Sequence, residues 1–223
     1  MGDYVTLAIS AENAENPTFG NQHCNTRLAE EEDRDLILEF LKAHGPRRQF
    51  FPVYEPQDLF QPGGWLQGLQ PHDVMLAFEG DQLVGTLGAW DQSSFKQTIV
   101  HGYGRWLSVV RPVYNIVASM RRRPALPAVG SVLKARYAAI PVVAEDDAAV
   151  FCSLVEAVSK EIARRGVKLL LLGLHESDPL LPVGRRFAGR EYVTRIYLVY
   201  WPDRPPELTE LVQRVPYLEL GCL

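Results

Sequence analysis

Residues 144–174 read Ala-Glu-Asp-Asp-Ala-Ala-Val-Phe-Cys-Ser-Leu-Val-Glu-Ala-Val-Ser-Lys-Glu-Ile-Ala-Arg-Arg-Gly-Val-Lys-Leu-Leu-Leu-Leu-Gly-Leu. Val150, Leu154, Val158 and Ile162 recur every four residues, with Phe151 and Val155 on the adjoining row. That spacing predicts a helix over residues 146–165 with one apolar stripe. Asp146 suits its N-cap and Asp147 its first turn, while Arg164, Arg165 and Gly166 suit its C-terminus. The run at 167–174 follows at once, and a short apolar strand directly after a helix is the mark of a buried, often parallel, strand.

Residues 132–143 read as a long strand leading into the helix. Residues 74–78 and 83–90 read as a hairpin turning at Gly80, a residue free to take a positive φ. Gly85 and Gly88 interrupt its second arm, which predicts a bulge or a close backbone approach. Further upstream, Leu36, Ile37, Phe40 and Leu41 mark a helix over residues 33–43, stopped at Gly45-Pro46. Five prolines make residues 46–72 irregular. At the N-terminus, Val5, Leu7 and Ile9 alternate as in a strand over 2–10, and 11–25 reads as a linker. Residues 190–201 read as a last strand, with Tyr192, Thr194 and Ile196 on one face. A strand near 95–103 and a helix near 113–120 complete the reading. Strands and helices in this order predict an α/β (α+β) fold with a central mixed sheet flanked by helices.

The chain has 223 residues, 47% of them hydrophobic and 22% charged, the mixture of a globular domain. No apolar run exceeds Leu169–Leu174, against the roughly 20 residues of a membrane span. Cys24, Cys152 and Cys222 are odd in number and far apart, without ligand spacing, so neither a disulfide framework nor a metal site is expected. A reducing, cytoplasmic setting follows from that usage. The net charge of −4 conceals eight bases and no acid over residues 92–144. Such a block attracts anions or folds against the acidic N-terminal third. Because the whole chain is acidic, nucleic acid is not the expected partner. Asp91, the serines at 93 and 94, Lys96 and His101 lack the elbow of a hydrolase triad.

The order helix, hairpin, strand, helix, strand, short helix, strand resembles the Gcn5-related N-acetyltransferase (GNAT) superfamily. The likeness is carried by 132–143, by the helix ending Ala-Arg-Arg-Gly, by Val167-Lys-Leu-Leu-Leu-Leu-Gly-Leu174, and by Gln82-Leu-Val-Gly85 in the hairpin. It places a GNAT-like domain at 21–223 with an insertion near 95–131. Residues 1–20 then form a strand and linker resembling the closing strand of a preceding GNAT unit, since Tyr4-Val-Thr-Leu-Ala-Ile9 is similar to Tyr192-Val-Thr-Arg-Ile-Tyr197. Association with such a unit, or a homodimer, is the implied assembly.

The resemblance also implies a site. In the family the fourth strand splays from the fifth to admit acetyl-CoA, and a glycine-containing loop with the following helix N-terminus holds the pyrophosphate. Carried over, Val142 and Val143 would bond the pantetheine arm of an acetyl- or other acyl-CoA, and Ala144, Asp146, Asp147 and Ala148 would face the pyrophosphate. No metal is implied. The loop here has no glycine and no arginine but three carboxylates, Glu145, Asp146 and Asp147, which repel a pyrophosphate. The family's tyrosine acid is missing from residues 175–187. His175 and Glu176 are the titratable groups nearest its place, and His175 has a reference pKa suited to acid–base work. Two functions therefore compete. One is an N-acyltransferase moving an acetyl or acyl group from CoA to a small-molecule amine. The other is a catalytically degenerate GNAT-like module for ligand binding or for domain and partner association.

Overall fold

The computed structural model describes residues 2–11, 24–102, 104, 110, 114–115, 126, 128–201, 203 and 214–223. Its strands are β1 (Gly2–Ser10), β2 (Asn25–Leu28), β3 (Val74–Glu79), β4 (Gln82–Trp90), β5 (Arg136–Val143), β6 (Leu169–His175) and β7 (Ala188–Ile196). The α-helices whose bounds lie within the described residues are α1 (Arg34–His44), α2 (Ala148–Arg164) and α3 (Leu181–Phe187). All seven strands lie in one sheet, in the order β2-β3-β4-β5-β6-β1-β7. Every neighbouring pair is antiparallel except β5 and β6, which are parallel and joined through α2. The expected mixed sheet flanked by helices is therefore present.

Each face of the sheet carries its own core. On one side α2 buries Val150, Leu154, Val158 and Ile162, the four residues of the spacing, together with Phe151 and Val155. They pack on Val5, Leu7, Leu170 and Leu172 of the sheet and on Leu181 and Val183 of α3. A fully buried side chain of this kind contributes about 1.5–3 kcal/mol, so the stripe holds the helix against the sheet. Gly85 lets it come close, because a Cβ there would meet Leu154 at 2.8 Å. On the other side α1 buries Ile37, Leu38, Phe40 and Leu41 against Leu59, Leu76, Trp90 and Ile140. Leu36, expected in that stripe, is exposed and Leu38 takes its place, the i, i+1, i+4 set being rotated by one position about the helix.

Several boundaries move. Asp147, not Asp146, caps α2, with its Oδ1 accepting from the amides of Ala149 at 2.7 Å and Val150 at 3.0 Å. β5 starts at Arg136, and Val132 makes only an isolated bridge to Ile99, which is also what exists of the strand expected near 95–103. β7 ends at Ile196 rather than at 201. The helix expected near 113–120 lies largely outside the described residues, as do Arg105, Arg111 and Arg121 to Arg123. β1, expected to resemble the closing strand of a preceding unit apart from the domain at 21–223, inserts into this sheet between β6 and β7, where Val5 faces Leu174 on one side and Val193 on the other.

Candidate functional site

β5 and β6 pair only at their first residues, Arg136 with Leu170 and Tyr137 with Leu171. Beyond Tyr137 they part. A kink in β5 follows within the divergence: Ile140 has φ +45°, a left-handed conformation that a β-branched residue rarely takes, at about 1–3 kcal/mol of strain. The Thr86 hydroxyl of β4 donates to the Ile140 carbonyl at 2.8 Å and holds the kink from the far side. The resemblance called for such a splayed pair, and it is formed.

The gap is filled by the chain's own C-terminal segment, residues 215–223. The Val215 carbonyl accepts from the Gln49 amide, and the Tyr217 amide donates to the Gln49 carbonyl, both at 2.8 Å. The Tyr4 hydroxyl donates to the Leu218 carbonyl at 2.8 Å. Gly173 of β6 gives the Tyr4 ring its room, since a Cβ there would strike the phenol. The Gln92 side-chain amide donates to the Gly221 carbonyl at 2.7 Å, and Lys96 Nζ to the Leu223 carbonyl at 2.6 Å.

At the centre sits the buried Glu219. Its Oε2 accepts from the Ile140 amide at 3.0 Å, from the Tyr217 hydroxyl at 2.5 Å and, more weakly, from the Tyr54 hydroxyl at 3.4 Å. Its Oε1 is buried and has no partner among the described residues. Burial raises its pKa, outweighing the hydrogen bonds that favour the carboxylate. Burial likewise raises the phenols of Tyr4, Tyr54 and Tyr217 well above 10.0, with the nearby Glu219 adding to the shift.

Across the mouth of the gap runs Arg48. Its guanidinium bonds Asp146 in the loop after β5 and, through Nε at 3.1 Å, Asp178 in the loop after β6. Burial opposes its charge, but the two carboxylates outweigh that and raise its pKa. Asp178 also accepts the Leu180 amide at 2.9 Å, yet burial dominates and lifts its pKa above 3.8. Arg47 adds ion pairs to Glu145 at 3.1 Å and Asp146 at 3.5 Å. Glu145 and Asp146 both take left-handed φ values, 53° and 56°, turning the chain sharply into α2.

The residues expected to hold acyl-CoA are thus brought together but committed elsewhere. Val142 and Val143 are buried, registered against Thr86 and Gly85 of β4. Ala144 accepts the Asp147 amide through its carbonyl, Asp146 answers Arg48, and Asp147 takes the first amides of the helix that Ala148 begins. A pyrophosphate would meet a capped helix end and three carboxylates where a cradle needs open amides. These residues do not fit the cofactor.

His175 and Glu176 stand at the end of β6. His175 is buried, and its Nδ1 accepts from the Ser177 amide at 3.1 Å, so the proton of a neutral ring sits on Nε2, beside Gly2. Glu176 is exposed, and its Oε1 accepts from the Asp3 amide at 2.9 Å. Glu176 therefore fastens the start of β1, and His175 stands in register with Tyr4 of that strand. The sequence reading missed Arg48, Tyr54 and the tail. A carboxylate set among apolar residues, Tyr217-Leu-Glu-Leu-Gly221, was the signal for the last of these.

Among the described residues no group of three or more His, Cys, Asp or Glu is placed to hold a metal, and no helix is long and apolar enough to cross a membrane. None of the three cysteines is in a disulfide, and burial pushes the Cys152 thiol up to about 11.

No family model matches the chain, and no curated protein matches it. Among solved structures it is similar to the GCN5-related glucosamine N-acetyltransferase region of a fungal multi-domain GH3 beta-N-acetylglucosaminidase, with 11% identity and a TM-score of 0.48. The match covers 86% of this chain and 20% of that one, so the chain spans about a fifth of the length of that protein.

Proposed function

We propose that this chain is a GNAT-like module that does not use acyl-CoA and serves instead in association. The observation that carries the reading is the gap between β5 and β6, filled by residues 215–223 with the Glu219 carboxylate on the Ile140 amide. The capped N-terminus of α2 and the paired carboxylates of its loop agree with it. The association surface is β7, an outer strand exposed along nearly its whole length, with Tyr192 and Val193 open to solvent and Tyr197, Val199 and Trp201 exposed beyond it. An outer strand with no further strand beside it among the described residues pairs readily with another, and we take a second copy of the chain as its partner. Isothermal calorimetry and thermal shift of the full chain with millimolar acetyl-CoA test the reading. No heat and no shift are expected. A ligand at a hundred times its dissociation constant would add about 2.7 kcal/mol of stability, and a shift of that size overturns it.

The competing reading is an N-acyltransferase acting on an amine. One observation favours it, the parting of β5 and β6 beyond Tyr137, and it requires the tail to be out of the gap.

A further inference from the structure

The sheet does not need the tail. β5 is paired with β4 along its length and β6 with β1 from Leu169 to His175, so both walls of the gap are held from their far sides. Residues 215–223 add no strand to the sheet. They are attached by the bridge at Gln49, by the buried Tyr217 ring packed on Phe51, by two side chains reaching backbone carbonyls from Tyr4 and Gln92, by Lys96, and by Glu219. These are the contacts of a bound peptide. The seat is also imperfect, since Glu219 is buried with one oxygen unpartnered among the described residues, and an unmet buried polar atom costs stability. The receiving group is the amide of Ile140, whose left-handed backbone is the strained point of β5.

We propose that the gap between β5 and β6 is a peptide-binding slot, that residues 215–223 are its resident ligand, and that this segment leaves and re-enters without unfolding the sheet. The slot's ligand class is a peptide with a glutamate two residues after a tyrosine, followed by a single 3-10 turn like that of Leu220–Cys222. The Ile140 amide and the Tyr54 hydroxyl receive the carboxylate, while the Tyr4 hydroxyl and the Gln92 amide read the backbone carbonyls on either side of it. The proposal rests on the filled-gap reading above. Acetyl-CoA binding by the full chain would sink that reading, whereas the experiments below address exchange of the segment alone.

The first experiment is native-state hydrogen exchange on the unmodified full chain. The Ile140 and Tyr217 amides are expected to exchange through a local opening that is insensitive to low denaturant, at least ten-fold faster than the Leu172 and Leu7 amides. Exchange of all four together, only through global unfolding, overturns the proposal. The second uses the full chain carrying Glu219→Lys, whose own tail cannot seat a cation on the Ile140 amide. A labelled synthetic peptide of residues 215–223 with the natural sequence is expected to bind this variant saturably, and the same peptide with Glu219→Ala at least ten-fold more weakly. A folded variant that leaves the natural peptide unbound overturns the proposal. Should the variant fail to fold, the exchange experiment on the natural chain decides.

Discussion

The Glu219 carboxylate accepts the Ile140 amide at 3.0 Å, bringing a residue four before Leu223 against the most strained point of β5. Burial raises the carboxyl above its ordinary 4.5, so the folded chain keeps this proton to a higher pH than the unfolded chain does. Its contribution to stability is fully present at acid pH and is lost as the pH rises through 4.5 towards the raised value. Asp178, raised above 3.8 by burial, has the same sign. In urea melts across the acid-to-neutral range, Glu219→Gln should flatten the decline, by at most about 1.4 kcal/mol per pH unit.

The tyrosines around Glu219 set the alkaline limit. Tyr4, Tyr54 and Tyr217 are all raised above 10.0 by burial, so the unfolded chain ionises them first. Stability should fall steeply above pH 10, with the share of phenolate absorbance that is lost on replacing Tyr4, Tyr54 and Tyr217 by Phe appearing together with the loss of ellipticity, after that of exposed phenols such as Tyr192 and Tyr197. That share appearing well before unfolding would show that these three phenols are open to water.

Arg48→Met leaves Asp178 buried without its counter-charge. Removing one partner of a buried pair costs about 3 kcal/mol at neutral pH. The loss should shrink on acidification, as Asp178 takes up a proton. Arg47→Met, which removes ion pairs from a more exposed side chain, should change stability by less than about 1 kcal/mol. Urea denaturation of the two variants at two pH values separates the clamp from its neighbour.

The loop before α2 shows how far the sequence could be read. Its carboxylates were legible as incompatible with a pyrophosphate, and the four-residue spacing gave the helix and its buried face. The cap was misplaced by one residue, because choosing between Asp146 and Asp147 needs the left-handed turn at Glu145 and Asp146, which no periodicity encodes. Arg48 escaped notice because its two partners lie 98 and 130 residues away. The plug escaped for the same reason: nothing local says that an apolar tail will cross back between two strands. Asp147→Ala should therefore cost about 1 kcal/mol through the lost cap. Glu145→Gly should be near neutral, since the relief of a left-handed residue offsets glycine's extra chain entropy. Thermal melts of the two variants make the comparison.

The exposed edge of β7 carries the last prediction. An antiparallel pairing of two copies centred on Val193 sets Glu191 of each opposite Arg195 of the other, and Tyr192 opposite Thr194. Cross-strand pairs of this kind contribute about 0.2–1 kcal/mol each, and the unpaired edge groups gain partners as well. Within one chain Glu191 pairs with Arg185 and Arg195 with Asp3, all at partly exposed positions where such bonds are weak and open to exchange. Light scattering behind size exclusion should show a dimer fraction that grows with concentration. Arg195→Glu, which sets like charges opposite each other, should return the chain to monomer. Adding Glu191→Arg to that variant restores complementarity and should restore the dimer, an outcome that a general loss of folding would not produce. A monomer mass at every concentration would end the role assigned to β7, while rescue by the charge swap would fix both the partner and the register.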